Sequence, residues 1–399
     1  MSQPAAGRAV IGQSGGPTCV INESLAGAAA EAATGGVITQ FLGARHGVAG
    51  IMAGDFVDLG AVSKDRWEQI AQTPCAALGS VRLKPSEEQC ARIFEVFRSN
   101  DVRYFFYVGG NDTAETASIL LGIARREGYD LNVFHIPKTI DNDLRVTDHC
   151  PGYGSAARFV AQAFMGDDLD NRSLPGVKVD VVMGRHAGWL TAASALARHD
   201  DEAGPHLIYV PERVFDLDAF CADVEAVHSE RGRCLVAVSE GVHDADGNPV
   251  ASSGEVDAHG NVQLSGTGAL ADCLVGRLKE HFAAAGADGL RARGDTFGYL
   301  QRSFVGVRSE TDAEEARRVG ATAVRLATTT DATDGTIAIR RTGEGSAYAS
   351  EDFLAALADV AKVTKDMPED LLDGDAGVTD AFLEYVRPLA GPLPAVARL

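Results

Sequence analysis

At 399 residues the chain exceeds what one simple core holds and fits two domains, or three. Its 56 acidic residues against 36 basic ones leave a formal charge of −20, which argues against nucleic acid or an anionic membrane as partner, since both want a basic face. With a hydrophobic fraction of 45% and no apolar run of about eighteen residues, a globular chain without a membrane-spanning helix is expected. Met1 to Arg8 lacks the charged and apolar regions of a signal peptide, so a cytosolic location is expected. The seven cysteines are scattered without metal-ligand spacing and read as reduced thiols.

In chain order, Arg8–Gly12 reads as a first strand, followed by the loop Gln13-Ser14-Gly15-Gly16-Pro17-Thr18 and a helix from Thr18 to Ala33. Strand, glycine turn and helix suit backbone amides aimed at an anion, and equally suit an ordinary glycine-rich connection. Gly12-x-Ser14-x-Gly16 has the outline of a nucleophile elbow, but it closes the first strand instead of an inner one. Val37–Leu42 is a second strand. Leu78–Lys84 is a polar loop in which Arg82 and Lys84 are either a solvated basic pair or phosphate contacts. Ser86 is expected to cap the helix that runs to Arg98.

Two loops carry most of the chemical information. Tyr104–Val108 reads as a buried strand leading into Gly109-Gly110-Asn111-Asp112-Thr113 and a helix to Glu127, with Asp112 as a possible N-cap. A second strand leads into Pro137-Lys138-Thr139-Ile140-Asp141-Asn142-Asp143. Loops after neighbouring parallel strands open at one sheet edge, so Asp112, Lys138, Asp141 and Asp143 are expected to gather. One lysine among carboxylates beside a helix N-terminus suits transfer of a phosphoryl group with Mg²⁺.

A long helix from about Ser155 to Asp168 opens a second α/β pattern. Strands are expected at Val177–Met183, His206–Val210 and Leu235–Val238, with helices at Ala187–Ala197 and Gly268–Ala285. Asp244-Ala245-Asp246-Gly247-Asn248 reads as a turn in a hairpin excursion between Val242 and Leu264, because the remaining calcium-loop ligands are missing. Arg291, Arg293 and Arg302 flank a short strand. A helix at Thr311–Thr328, a strand at Thr336–Arg341 and a tail helical to Pro388 complete the expectation.

Gly15-Gly16, Gly79-Ser80-x-Arg82, Gly109-Gly110-x-Asp112, Thr139-Ile140-Asp141-Asn142-Asp143, Met183-Gly184-Arg185, Ser239-Glu240 and Arg293 through Gly298-Tyr299-x-Gln301-Arg302 together resemble the phosphofructokinases, over most of the chain. The resemblance implies an α/β protein of two Rossmann-like three-layer domains facing a cleft, and a homodimer or homotetramer. A phosphoryl-donor domain would span 1–152, completed by about 303–345. A sugar-phosphate domain would span 153–302, completed by about 346–399. Asp112 and Lys138 replace glycines of the ATP-dependent members and point to the pyrophosphate-dependent branch. Asp112 adds bulk and charge where a nucleotide would approach, and Lys138 can neutralise pyrophosphate.

By the same resemblance Asp141 would be the general base, supported by Asp143, with Thr139 near the reacting hydroxyl and Lys138 on the donor. Gly16, Arg82 and Lys84 would contact phosphate, and Asp112 would hold Mg²⁺. Met183, Gly184, Arg185 and Glu240 would hold fructose 6-phosphate, Tyr299 and Arg302 its 6-phosphate, and Arg293 would serve a neighbouring subunit. An apolar-glycine stretch near Gly176 aligns with a second arginine of the ATP-dependent enzymes. The alternatives are an ATP-using sugar-phosphate kinase of the same fold, a catalytically silent regulatory subunit, and a serine hydrolase acting through Ser14.

Overall fold

The computed structural model describes residues 5–251, 267–287, 289–361 and 364–397. Among them are eleven strands: β1 (Gly7–Gln13), β2 (Ile38–Ala44), β3 (Phe56–Asp58), β4 (Val102–Gly109), β5 (Asn132–Pro137), β6 (Val177–Val182), β7 (Leu207–Tyr209), β8 (Cys234–Ser239), β9 (Ala292–Thr296), β10 (Asp334–Gly343) and β11 (Ala349–Ala355). They form a seven-stranded sheet in the order β11-β10-β5-β4-β1-β2-β3 and a four-stranded sheet in the order β7-β8-β6-β9. The chain divides into two compact units. The first holds residues 1–140, 144–155 and 302–364, and the second holds 141–143, 156–301 and 365–399. No helix among the described residues is long and apolar enough to cross a membrane.

The first unit is a three-layer α/β domain whose central strands alternate between two cores, as the two-residue period of a strand requires. Ile11, Tyr104, Phe106 and Phe134 point to one face, where the helices Ile21–Ala32 and Glu310–Thr329 pack. Val10, Phe105, Tyr107 and Val133 point to the other, with the helices Glu87–Ser99 and Asn111–Arg126. Phe105 and Phe106 are fully buried, so truncating either to alanine should cost about 3–5 kcal/mol. Strands β1, β4 and β5 run parallel, with Gln13 opposite Val108 and Gly109 opposite Pro137. Their three loops therefore leave the sheet at the same edge.

In the second unit all four strands are parallel. Val177, Val179 and Val181 of β6 bury against Leu274, Leu278 and Phe220. The opposite face of β6 carries buried Lys178 and Asp180 beside Asp167 of the helix Tyr153–Ser173.

Several elements depart from the sequence expectation. Ser86 does cap its helix, in a reciprocal box with Gln89. The first helix starts at Ile21, not Thr18, because Thr18 turns its hydroxyl onto the amide of Val20 at 3.3 Å. Ala187–Ala197 is a short helix, Trp189–Ala192, continued as a 3₁₀ turn. The tail is not helical throughout: residues 349–355 form β11, antiparallel to β10, and the helix proper is Asp380–Ala390. Residues 346–364, expected with the second domain, therefore lie in the first unit. Asp244–Asn248 is a tight turn closed by the Asp244 carboxylate on the amides of Asp246 and Asn248. Residues 252–266 of the expected hairpin lie outside the described residues.

Candidate active site

In the first unit, the loop after β1 is fixed by its neighbours. Ser14 N–H donates to Val108 O at 2.9 Å and Gly15 N–H to Val81 O at 3.0 Å. The Ser80 hydroxyl donates to Gly15 O at 2.6 Å, and Lys138 Nζ donates to Gly16 O at 2.8 Å. Glycine is required at position 15, where φ is +75° and a Cβ would lie 3.2 Å from Lys138 Nζ. A Cβ on Gly16 would lie 3.0 Å from the guanidinium carbon of Arg302. Two cations thus converge on one glycine pair, which makes a locally positive site in an acidic chain. The helix dipole contributes less than the sequence suggests, because the helix begins five residues beyond Gly16, and its first-turn acid Glu23 is paired with Arg308 and Arg317.

Ser14 is buried, and its hydroxyl reaches Val81 O at 3.5 Å. That arrangement gives no exposed nucleophile. His135, beneath the loops, lies between Thr336 Oγ1 at 2.7 Å and Gly109 O at 2.8 Å. Burial, with the Lys138 charge adding, lowers its pKa to about 4, so it is a neutral structural residue at physiological pH.

The second loop starts its helix at Asn111, with Gly110 as N-cap, so Asp112 is not the cap. Asn111 Oδ1 instead accepts from the Asp112 amide at 3.0 Å, and the exposed Asp112 carboxylate is left to solvent. Lys84 is held at 2.7 Å by Glu115, one helical turn beyond Asp112. That bond, with the Asp112 charge adding, raises the lysine pKa. Arg82 is exposed. Glu115 was not singled out in the sequence, although its i+3 spacing from Asp112 was readable.

Mg²⁺ takes one or two carboxylates, keeps several waters and shares substrate phosphates. Among the described residues no three or more histidine, cysteine, aspartate or glutamate side chains form a metal-holding group. The single exposed carboxylate of Asp112 therefore fits an ion shared with a bound phosphate, and does not fit a cage of protein ligands.

The Thr139–Asp143 segment passes from the first unit to the second. Thr139 pairs with Gly152 and donates its N–H to Pro151 O at 3.2 Å. Asn142 is buried at φ +56°, with its amide on Tyr385 OH at 2.8 Å, and Asp143 O accepts from Lys365 N–H at 2.7 Å. Asp141 and Asp143 therefore flank an anchored residue.

In the second unit Met183-Gly184-Arg185 and Ser239-Glu240 end the adjacent parallel strands β6 and β8. Ser239 Oγ ties the two loops by donating to Gly184 O at 2.6 Å, and buried Gln301 accepts from Met183 N–H at 3.3 Å. His186 lies within electrostatic range of Arg185, Asp141 and Asp366. Partial desolvation and then Arg185 lower its pKa, against the two carboxylates. Asp141, Arg185 and His186 thus share one neighbourhood. Glu240 is buried nearby along the sheet edge, and Tyr299 is 52% exposed.

Arg293 is not brought to this group. It sits opposite Lys178 in the β6–β9 register, five residues before Met183, or about 16 Å along the strand. It is exposed, and its guanidinium donates to Ala292 O at 2.9 Å. At Gly176 a Cβ would meet the carbonyl of Arg291, so no side chain fits there.

The sequence matches the family model described as Phosphofructokinase over residues 8–327. It is 51% identical over 391 residues to a pyrophosphate–fructose 6-phosphate 1-phosphotransferase of Rhodospirillum rubrum, covering 96% of this chain and 94% of that one. The protein so named from Methylococcus capsulatus is 39% identical over 398 residues, covering 96% and 92%. Among solved structures, the pyrophosphate-dependent phosphofructokinase of Nitrosospira multiformis superposes with a TM-score of 0.86 at 34% identity, over 99% of this chain and 94% of that one.

Proposed function

Because the chain belongs to the phosphofructokinase family, we propose that it transfers a phosphoryl group reversibly from pyrophosphate to the C1 hydroxyl of fructose 6-phosphate, giving fructose 1,6-bisphosphate and orthophosphate, a step of glycolysis and gluconeogenesis. The observation that carries the reading is the Lys138 ammonium on Gly16 O, at 2.8 Å, with the Arg302 guanidinium against the same residue. Such a cradle suits a compact dianionic or trianionic phosphate and needs no nucleoside.

Asp141 takes the proton from the C1 hydroxyl as that oxygen bonds to the terminal phosphorus. The bridging P–O bond breaks and orthophosphate leaves. Buried Lys138 neutralises charge on the donor, and Arg82 adds an exposed cation. Lys84 contributes less, since Glu115 already matches its charge. Thr139 and Asp143 orient the reacting groups. Met183, Gly184, Arg185 and Glu240 hold the sugar, with Tyr299 and Arg302 on its 6-phosphate. The position of Arg302 beside Gly16 also supports contact with the donor. Asp112 would hold Mg²⁺, which supplies charge neutralisation on the phosphate oxygens when bound.

Exposed Arg293 on the edge strand β9 supports a homo-oligomer, dimer or tetramer, in which it serves a neighbouring site. Seven scattered cysteines, read as reduced thiols, support a cytosolic enzyme. The donor domain is the first unit and the sugar-phosphate domain the second. The test is turnover of fructose 6-phosphate with Mg²⁺ and either pyrophosphate or ATP as sole donor. Product with pyrophosphate alone is expected. Product with ATP alone would overturn the donor, and none with either would favour a regulatory subunit.

A further inference from the structure

A buried segment outside the proposed chemistry is tied at one end to the sheet and at the other to Thr139. Thr147 Oγ1 accepts from Ile339 N–H at 2.9 Å, and Asp148 N–H donates to Ile339 O at 2.9 Å, so β10 holds the start of the strap Thr147–Ser155. At its far end Pro151 O accepts from Thr139 N–H at 3.2 Å, and Gly152 pairs with Thr139. Gly152 has φ +111°, and a Cβ there would lie 2.6 Å from Thr18 Cγ2 and 3.2 Å from Thr139 O. Its bare backbone is thus wedged between the glycine loop and Thr139.

Two carboxylates of the helix Glu310–Thr329, three positions apart, grip this strap. Asp312, 3% exposed, accepts from Gly152 N–H with Oδ1 and from Ser155 N–H with Oδ2, each at 2.8 Å. Glu315 accepts from His149 Nε2 at 2.6 Å and from Tyr348 OH at 2.6 Å. The other ring nitrogen of His149 meets Asp148 at 2.8 Å. A surface salt bridge would need none of this burial, and a carboxylate bidentate to two backbone amides fixes orientation more strictly than a single contact.

We propose that Asp312 and Glu315 are positioning residues that set Thr139 through the strap Thr147–Ser155; this rests on the reading that Thr139 lies near the reacting hydroxyl. Asp312→Asn keeps the volume but turns an amide donor onto one of the two N–H groups. Glu315→Gln does the same to its partners His149, Tyr348 and Ser350, and also removes the charge opposite His149. The titratable and charged groups around His149 are Asp148 on its own strap, Glu315, Asp312 and Arg318 on the helix, Arg341 on β10, Tyr348 just before β11 and Asp352 on it.

The test uses the full chain and reads amide hydrogen exchange together with kinetics. In either variant the Thr139–Ile140 amides should exchange roughly tenfold faster while β6 amides of the second unit keep their wild-type rates, and kcat should fall about tenfold with little change in KM for pyrophosphate. Glu314→Gln, on the exposed side of the same helix, should do neither. Wild-type exchange at Thr139 in both variants, or acceleration spread evenly over both sheets, would overturn the proposal. Absence of turnover in the wild-type protein would remove the reaction while leaving the exchange comparison to decide the positioning.

Discussion

Lys138 Nζ donates to Gly16 O at 2.8 Å from a side chain only 4% exposed. The lysine is therefore aimed, and its charge is poorly hydrated, which strengthens its attraction for an incoming phosphate. Lys138→Met keeps the stem and removes the charge. Its kcat/KM for pyrophosphate should fall on the order of 10²–10³-fold, as when one preorganised donor to a developing charge is lost. A wild-type value in a steady-state assay would leave the lysine a purely structural role.

Asp141 shares its neighbourhood with Arg185 and His186, and the proposed reaction gives it the proton step. Asp141→Ala should lower kcat by about 10²–10⁴-fold, the range for a general base, with fructose 6-phosphate still binding. Near-normal turnover in that variant would take the residue out of the mechanism.

Among the described residues neither buried carboxylate oxygen of Asp180 has a hydrogen-bond donor, and burial, with Asp167 and Asp295 adding, pushes its pKa well up. Burial thus favours the protonated form in the folded protein, whereas the unfolded chain ionises this group above about pH 4. Stability is therefore lost as pH rises from that value towards the folded pKa. Asp180→Asn, which cannot ionise, should raise Tm at pH 8 by about 2 °C or more, with the gain vanishing near pH 4. An equal Tm difference at both pH values would contradict this account.

His149 and His135 titrate in opposite senses. Burial works against the His149 charge, but Glu315 and Asp148 outweigh it and raise the pKa to about 8. Its stabilisation is complete below the ordinary histidine value of about 6.5 and is lost as pH rises through about 8. Buried His135, lowered to about 4, stabilises above about 6.5, and that contribution is lost as pH falls to about 4. His149→Gln should flatten thermal stability between pH 7 and 9 and leave the acid side intact. An unchanged alkaline slope would show that the His149 charge is not what holds the strap.

The strands of the first unit were readable because a buried parallel strand is an uninterrupted apolar run, as in Tyr104–Val108. The Ser86 cap was readable because its partner Gln89 is three residues away. Strand β11 was missed because its residues are mostly half-exposed and read as polar tail. Arg302 beside Gly16, and Glu115 holding Lys84, are long-range pairings that no local period encodes. The carboxylates of Asp312 and Glu315 look like a solvated helix face, and only the packing of the strap reveals them as buried.

Each unit is built from three separate stretches of chain, and this has a consequence during synthesis. Strand β5 pairs with β10 through Val133 and Asp334, some 200 positions later, which is roughly 10–40 s of elongation. Until then one rim of the nascent sheet, with Phe134 on it, has no neighbour, and an unpaired apolar rim is a template for other chains. A polypeptide stopped anywhere before Asp334 keeps that rim open for good. The growing protein thus depends on whatever shields β5 until β10 emerges.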